Sequence, residues 1–258
     1  MFFATTSMLG HILALFAAVT VVWTRAKPEA ISNNPEKGDI IQLWNLPRND
    51  TRAYNALLKN SFRKWYITDE NGKILIPAVL TGSFSYSERV TMQNAIWRIT
   101  NNTCIRFIKR SDQKDYVDII NERGQGCFAH VGRAKGRARL QLESNEKTSC
   151  IKPRAVIHEL LHICGLWHEH MRYDRDNYVE ILYGNIPEEK HHNFIKLGPS
   201  EATTYDLPYD YKSVMHYRKS DYAMPSKISI QTKDPKYQVL YLIVGILLQN
   251  FQTVVWLG

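Results

Sequence analysis

Cysteine is scarce: the 258 residues hold four, Cys104, Cys127, Cys150 and Cys164. So few exclude a disulfide scaffold and leave room for one or two staples. None are paired as C-x-x-C, which disfavours a cysteine-ligated zinc site and a thioredoxin-like motif. An aromatic-basic ribonucleoprotein strand and a C-x2-C…H-x3-H finger are also missing. Nucleic acid is therefore not an expected partner, and the formal charge of +8 reads as a basic solvated surface. The Gly-rich stretch GQGCFAHVGRAKG has no P-loop lysine arrangement, which disfavours a phosphate cradle, and no internal repeat occurs. Charged residues make up 22% and hydrophobic residues 44%, proportions that exclude wholesale disorder. The length suits one domain with flanking segments or two small domains.

Long apolar runs are missing too. Ile12 to Trp23, followed by small and charged residues up to Ala26, has the pattern of a secretory signal peptide, expected over 1–26. No Lys or Arg precedes that run, so an uncleaved anchor is the alternative. Near the other end, Val239 to Leu248 is too short for a span, which wants about 20 apolar residues. A membrane is therefore not an expected partner, and the expected location is extracellular. The sequons at Asn49 and Asn101 are compatible with secretion.

Residues 27–52 are polar and turn-rich and read as a linker or pro-segment. From Lys73 the texture changes. KILIPAVL reads as a strand, with Pro77 pointing to a sheet edge. SYSERVTMQNAIWRIT reads as a helix opened by a Ser85–Glu88 capping box, with Met92, Ile96 and Ile99 at helical spacing. CIRFIKR, YVDIINE and RARLQLE are further strands. The last alternates, with Ala138, Leu140 and Leu142 on one face and Arg137, Arg139, Gln141 and Glu143 on the other. Strands first and a helix afterwards predict an α+β layer.

What the chain does have is HELLHICGLWHE, from His158 to Glu169. On a helix begun by Pro153, His158 and His162 project from one face a turn apart, the reach for gripping one ion at about 2.0–2.1 Å per nitrogen. Gly165 can stop that helix in a left-handed conformation and let the chain return His168 to the same ion. Three neutral imidazoles leave a fourth position open, the layout of a catalytic rather than a structural zinc site. Glu159, beside the first ligand, can take a proton from water activated there. Two structural histidines on a buried apolar helix are the plainer alternative. Further on, Met215 in SVMHY fits the Met-turn expected after H-E-x-x-H-x-x-G-x-x-H, a soft apolar floor under the histidines.

HELLHICGLWHEH followed by SVMHY resembles the astacin family of metzincin zinc endopeptidases, with Glu169 and Tyr217 as the residues that set astacins apart. ILIPAVLTGSFS, TCIRFIKR, GCFAHVG, MRYDRDNYVEI, HNF and LPYDYKSVMHY are similar to astacin landmarks in order, over about 73–237. The resemblance implies a two-lobed catalytic domain over 53–237. A mixed β-sheet and the active-site helix would form its N-terminal lobe, with an irregular C-terminal lobe beyond. It implies His158, His162 and His168 as ligands of one Zn2+, with Glu159 as general base and acid. Tyr217 would be a switchable ligand that steadies the oxyanion, and Glu169 would bind the freed amino terminus of the mature enzyme. Protein or peptide substrates would pair with the strand carrying Arg137, Arg139 and Gln141 as the cleft edge, an ordinary edge strand being the alternative. Arg137, Arg139 and Lys227 would favour acidic substrate side chains. Astacin pro-segments carry F-x-G-D, whose aspartate blocks the zinc. Here EKGD offers Asp39 as that latch, with Glu36 in place of the aromatic, and cleavage is expected between Arg52 and Lys64.

The resemblance also implies a Cys127–Cys150 disulfide and a second one joining Cys104 to a C-terminal cysteine. No such cysteine exists here, and Cys164 reads as a buried apolar residue. The family ending is replaced over 238–258 by an apolar tail, read as a truncated or alternative end. The expected function is a secreted zinc endopeptidase; a catalytically impaired zinc-binding relative is the alternative.

Overall fold

A computed structural model describes residues 39–40, 56–200 and 202–240. The signal peptide, most of the pro-segment with Asn49, the first residues of the expected cleavage region (52–55) and most of the apolar tail lie outside the described residues. The N-terminal lobe is a five-stranded mixed sheet with two helices. Its strands are β2 (Ile74–Leu80), β3 (Ile105–Lys109), β4 (Tyr116–Ile120), β5 (Cys127–Ala129) and β6 (Arg137–Leu142), in the spatial order β3-β2-β4-β6-β5. All pairings are parallel except β5 with β6. A short β1 (Ala56–Leu57) pairs with β8 (Ala202–Thr203), tying the start of the domain to the second lobe.

Helix α1 (Tyr86–Asn102) begins as its sequence dictates. Ser85 Oγ accepts from the Glu88 amide, and the Glu88 carboxylate accepts from the Ser85 amide, satisfying two orphan donors. Met92, Ala95 and Ile99 are its buried stripe. Helix α2 (Pro153–Cys164) has Pro at its first turn and buries Val156, Ile157, Leu160, Leu161 and Ile163. These side chains share one core with Ile76, Val117, Ile119, Ala138 and Leu140 of the sheet. The Trp65 indole N–H donates to the Ile163 carbonyl at 2.7 Å, closing the far end of α2.

Two expectations are corrected. Pro77 lies in an interior strand, between β3 and β4. Even-numbered amides of β2 face β3, so Pro77 faces the other side. There Leu75 donates to the Ile67 carbonyl, and the ladder to β4 begins only at Ala78, so the missing N–H falls between the two sets of bonds. The expected cleft-edge strand is the second. β5, within the Gly-rich stretch, is the sheet edge, whereas the strand of Arg137, Arg139 and Gln141 is paired on both sides.

Beyond α2 the chain is irregular. Short 3-10 segments at Glu169–Met171, Arg175–Asn177, Tyr183–Asn185 and Glu188–Phe194 surround the small β7 (Val179–Ile181)–β9 (Ile230–Thr232) pair, and α3 (Pro235–Leu240) follows. This second lobe has its own aromatic core of Phe194, Tyr209, Tyr217, Val179 and Ile230. Cys127 and Cys150 are disulfide-bonded, stapling edge strand β5 to the segment that enters α2. Cys104 and Cys164 are free and line one cavity behind the end of α2.

Candidate metal centre

The α2 helix puts His158 and His162 one turn apart with their rings edge to face, centroids 4.7 Å apart. Gly165 then ends the helix at φ 109°, its N–H donating to the His162 carbonyl at 2.8 Å. A Cβ there would meet Leu57 Cδ1 at 2.8 Å, so both conformation and space call for glycine. The reversal brings His168 back beside the pair, with His162 and His168 fully buried.

Hydrogen bonds from behind fix the orientation of the two helical rings, while His168 is held by packing between His170 and Tyr217. His158 Nδ1 donates to the Val214 carbonyl at 2.8 Å, and His162 Nδ1 donates to the Leu166 carbonyl at 2.7 Å. A carbonyl only accepts, so both neutral rings carry their proton on Nδ1 and aim the Nε2 lone pair inward. The three Nε2 atoms lie 3.1, 3.2 and 3.2 Å from one another. Asp39 Oδ2 adds contacts of 3.2 and 3.1 Å to His158 and His168. Four acceptor atoms at such range repel unless a cation lies among them. Ligands about 2.0 Å from a tetrahedral ion stand about 3.3 Å apart, so the spacing fits zinc. These four are the cluster of metal-ligating atoms found among the described residues.

Asp39 lies where the sequence expectation put it. Its Oδ1 accepts from the Tyr217 hydroxyl at 3.0 Å, its carbonyl accepts from the Ala129 amide at 2.9 Å, and Ile40 bridges Ala129 in parallel. Ile40 is fully buried against Leu57, Val131 and Trp167. Burial alone would resist ionisation of Asp39, but His168 and His158 outweigh it and hold the carboxyl well below its usual range. Glu159 is buried with no partner for Oε2. Burial, and then the charge of Asp39, push its carboxyl well above the usual range, and a divalent cation among the histidines acts the other way.

Met215 is buried in the main core, and its carbonyl accepts from the Glu169 amide at 2.9 Å, locking the Met-turn to the His168 turn. Glu169 Oε1 accepts from the Asp210 amide at 2.9 Å and from Arg172 at 3.2 Å. No sequence motif singles out Arg172. It is buried, forks onto Asp174 and reaches the Leu207 and Pro208 carbonyls. Its carbonyl partner Leu207 lies 35 residues downstream, so only the local Arg–Asp pattern in MRYDR points to it.

The cleft beside the histidines has a volume of about 500 Å3 and is lined by His158, Glu159, Tyr217, Tyr222, Lys152 and Arg154 among others. The expected basic contacts are corrected accordingly. Arg137 pairs with Asp118 at 2.7 Å, Gln141 is buried and bonded to the Glu122 backbone, and Arg139 stacks over Phe128. Lys227 is exposed and is not among the residues lining the cleft. Lys152, Arg154 and Arg218 supply the positive charge there instead. Asn101 is exposed in the last turn of α1.

With this geometry in hand, comparison with known proteins is decisive. The sequence profile of the Astacin peptidase family matches residues 59–245. The chain belongs to the astacin family. "Zinc metalloproteinase nas-5" of Caenorhabditis elegans is 45% identical over 239 residues, covering 88% of this chain and 66% of that protein. "Tolloid-like protein 1" of Homo sapiens is 34% identical over 192 residues, covering 74% of this chain and 18% of that one. The chain thus spans two thirds or less of these relatives' lengths. The solved hatching enzyme zinc-protease High choriolytic enzyme 1 of Oryzias latipes superposes with a TM-score of 0.63 at 30% identity, over 70% of this chain and 86% of that one. His158, His162 and His168 are this astacin's zinc-binding triad.

Proposed function

We propose that this astacin is a secreted zinc-dependent endopeptidase, held in a latent form by Asp39, that hydrolyses internal peptide bonds of proteins. The observation that carries the reading is the near-equilateral triangle of three inward-facing Nε2 atoms, with the buried Glu159 carboxylate, its Oε2 unpartnered, beside it. Zinc held there supplies a Lewis acid that brings the pKa of a water towards about 7.

The chain's own residues do the rest. Glu159 takes the proton of the attacking water and passes it to the leaving amine. Once freed of Asp39, the Tyr217 hydroxyl donates to the negative charge growing on the carbonyl oxygen. An extended substrate adds to the free edge of β5, the edge on which Asp39 and Ile40 already lie. Lys152, Arg154 and Arg218 favour acidic substrate side chains. Glu169 receives the new amino terminus after cleavage between Arg52 and Lys64, the role its place after the third histidine implies. Asp39 is the latch: one oxygen on the histidines and one on Tyr217 occupy both halves of the reaction centre. Secretion, with residues 1–26 as the leader, is supported by the disulfide, and no described helix is long and apolar enough to cross a membrane.

One observation favours the impaired alternative: the Cys104 thiol is free. The test for both is casein cleavage by the activated protein, with and without a chelator, beside Glu159→Gln. Chelator-sensitive cleavage that falls at least about a thousandfold in the variant supports the proposal. Cleavage indifferent to the chelator, or full activity in Glu159→Gln, overturns the mechanism, and a zinc-loaded but inactive wild type establishes the impaired reading.

A further inference from the structure

Helix α1 buries Met92, Ala95 and Ile99 on one side. On the opposite side Tyr86, Val90 and Trp97 are 78%, 39% and 59% exposed. At about 100° per residue, these three fall within about 40° of one another around the axis and so form one apolar stripe. Apolar residues scattered singly on a surface are ordinary, whereas an aligned set marks a face that something covers. No ring or cation among the described residues stacks on Tyr86 or Trp97. The same face carries Asn101, four residues beyond Trp97 and about 6 Å further along the axis. Its side chain is exposed and makes no hydrogen bond among the described residues, whereas neighbouring Asn102 donates to the Arg98 carbonyl at 2.8 Å. Helical side chains lean towards the N-terminus, so a group carried on Asn101 Nδ2 departs back over Trp97 and not off the helix end.

What that group is follows from the sequence, because Asn101-Asn102-Thr103 is an N-x-T acceptor for N-linked sugar. Thr103 sets the order of events. In the fold it is buried, its hydroxyl donating to the Ile99 carbonyl at 2.7 Å and accepting from the Ile105 amide at 3.0 Å. A transferase that reads this threonine must therefore act before α1 and β3 form. Folding then leaves the modified Asn101 at the surface, where a bulky polar group is accommodated. The electron-rich face of an exposed indole attracts the C–H face of a sugar ring, so Trp97 offers the first sugars a place to stack.

We propose that Asn101 carries an N-linked glycan whose first sugars cover the stripe of Tyr86, Val90 and Trp97 on α1, with Trp97 as the stacking platform. The transfer forms a bond from Asn101 Nδ2 to C1 of the sugar and breaks the C1–O bond to a lipid pyrophosphate donor. The lipid pyrophosphate leaves, and the amide gives up one proton. The inference rests on the secretion given above and is independent of the zinc chemistry.

The test expresses the full chain in a glycosylating eukaryotic cell, maps its glycopeptides, and compares Tm and oligomeric state for wild type, Asn101→Gln, Trp97→Gln and the pair. Both substitutions are at exposed helix positions, and glutamine is a good helix former, so the variants fold. Sugar is expected on Asn101, and Asn101→Gln is expected to lower Tm by about 2–4 °C. In the Trp97→Gln background the same substitution shifts Tm by less than about 1 °C, because the platform is already gone. Secreted protein with no sugar on Asn101, or with sugar on Asn102 instead, overturns the inference. An unchanged Tm in Asn101→Gln overturns it too, as does an equal loss in both backgrounds. A dimeric wild type that Trp97→Gln turns monomeric would make a second copy of the chain the cover, and also overturns it. Protein retained in the cell with no sugar at Asn49 or Asn101 defeats the secretion reading and this inference with it, whereas sugar-free protein in the medium defeats this inference alone.

Discussion

Arg172 sits at the joint between the metal turn and the second lobe, where a buried guanidinium meets the Glu169 and Asp174 carboxylates and two carbonyls. Removing one partner of a buried ion pair leaves the other desolvated, which typically costs about 3–5 kcal/mol. Arg172→Ala is expected to lose that much stability in urea unfolding, and Arg172→Lys, which keeps the charge but not the fork, part of it. A loss within about 0.5 kcal/mol would show that the pair does not hold the turn. At this scale the sequence was half legible. His158, His162 and Glu159 can be read because they share one helix, where spacing fixes direction. Arg172 can be read only in part, since Glu169 and Asp174 are neighbours in sequence but the Leu207 and Pro208 carbonyls come from a distant loop.

At the scale of elements, the end of α2 decides whether three histidines meet. Gly165 is needed twice, for its positive φ and for the approach of Leu57. Gly165→Ala is expected to destabilise the protein by about 1–3 kcal/mol and to weaken zinc binding, because the displaced reversal carries His168. Thermal melting and zinc affinity check this together, and unchanged values of both would contradict it. Helix α1 was legible because its capping box is local. Strand β5 was not: three residues between glycines carry no period, and what makes them a strand is pairing with β6 and the Cys127–Cys150 staple. The misreading of Pro77 has the same source, since where an amide points depends on register.

The whole molecule is a sheet-and-helix lobe and an irregular lobe, with the zinc triad at their junction and one earlier segment laid over it. That segment was legible only through family resemblance, and even there Glu36 broke the pattern. What the structure adds is its anchoring: Ile40 is sealed in a core and Asp39 bonded to three side chains and the β5 edge. Asp39→Ala is expected to make the uncleaved chain hydrolyse peptide substrates that the uncleaved wild type leaves intact. Equal latency of the two chains would show that Asp39 is not the latch.

The proposed chemistry needs one divalent ion among three imidazoles, so the most direct measurement is elemental analysis of the folded protein alongside His162→Ala. One zinc per wild-type chain is expected, removed by a chelator and absent from a folded His162→Ala variant. Folded wild-type protein that binds no zinc when supplied with it, or a variant that keeps a full equivalent, would contradict it.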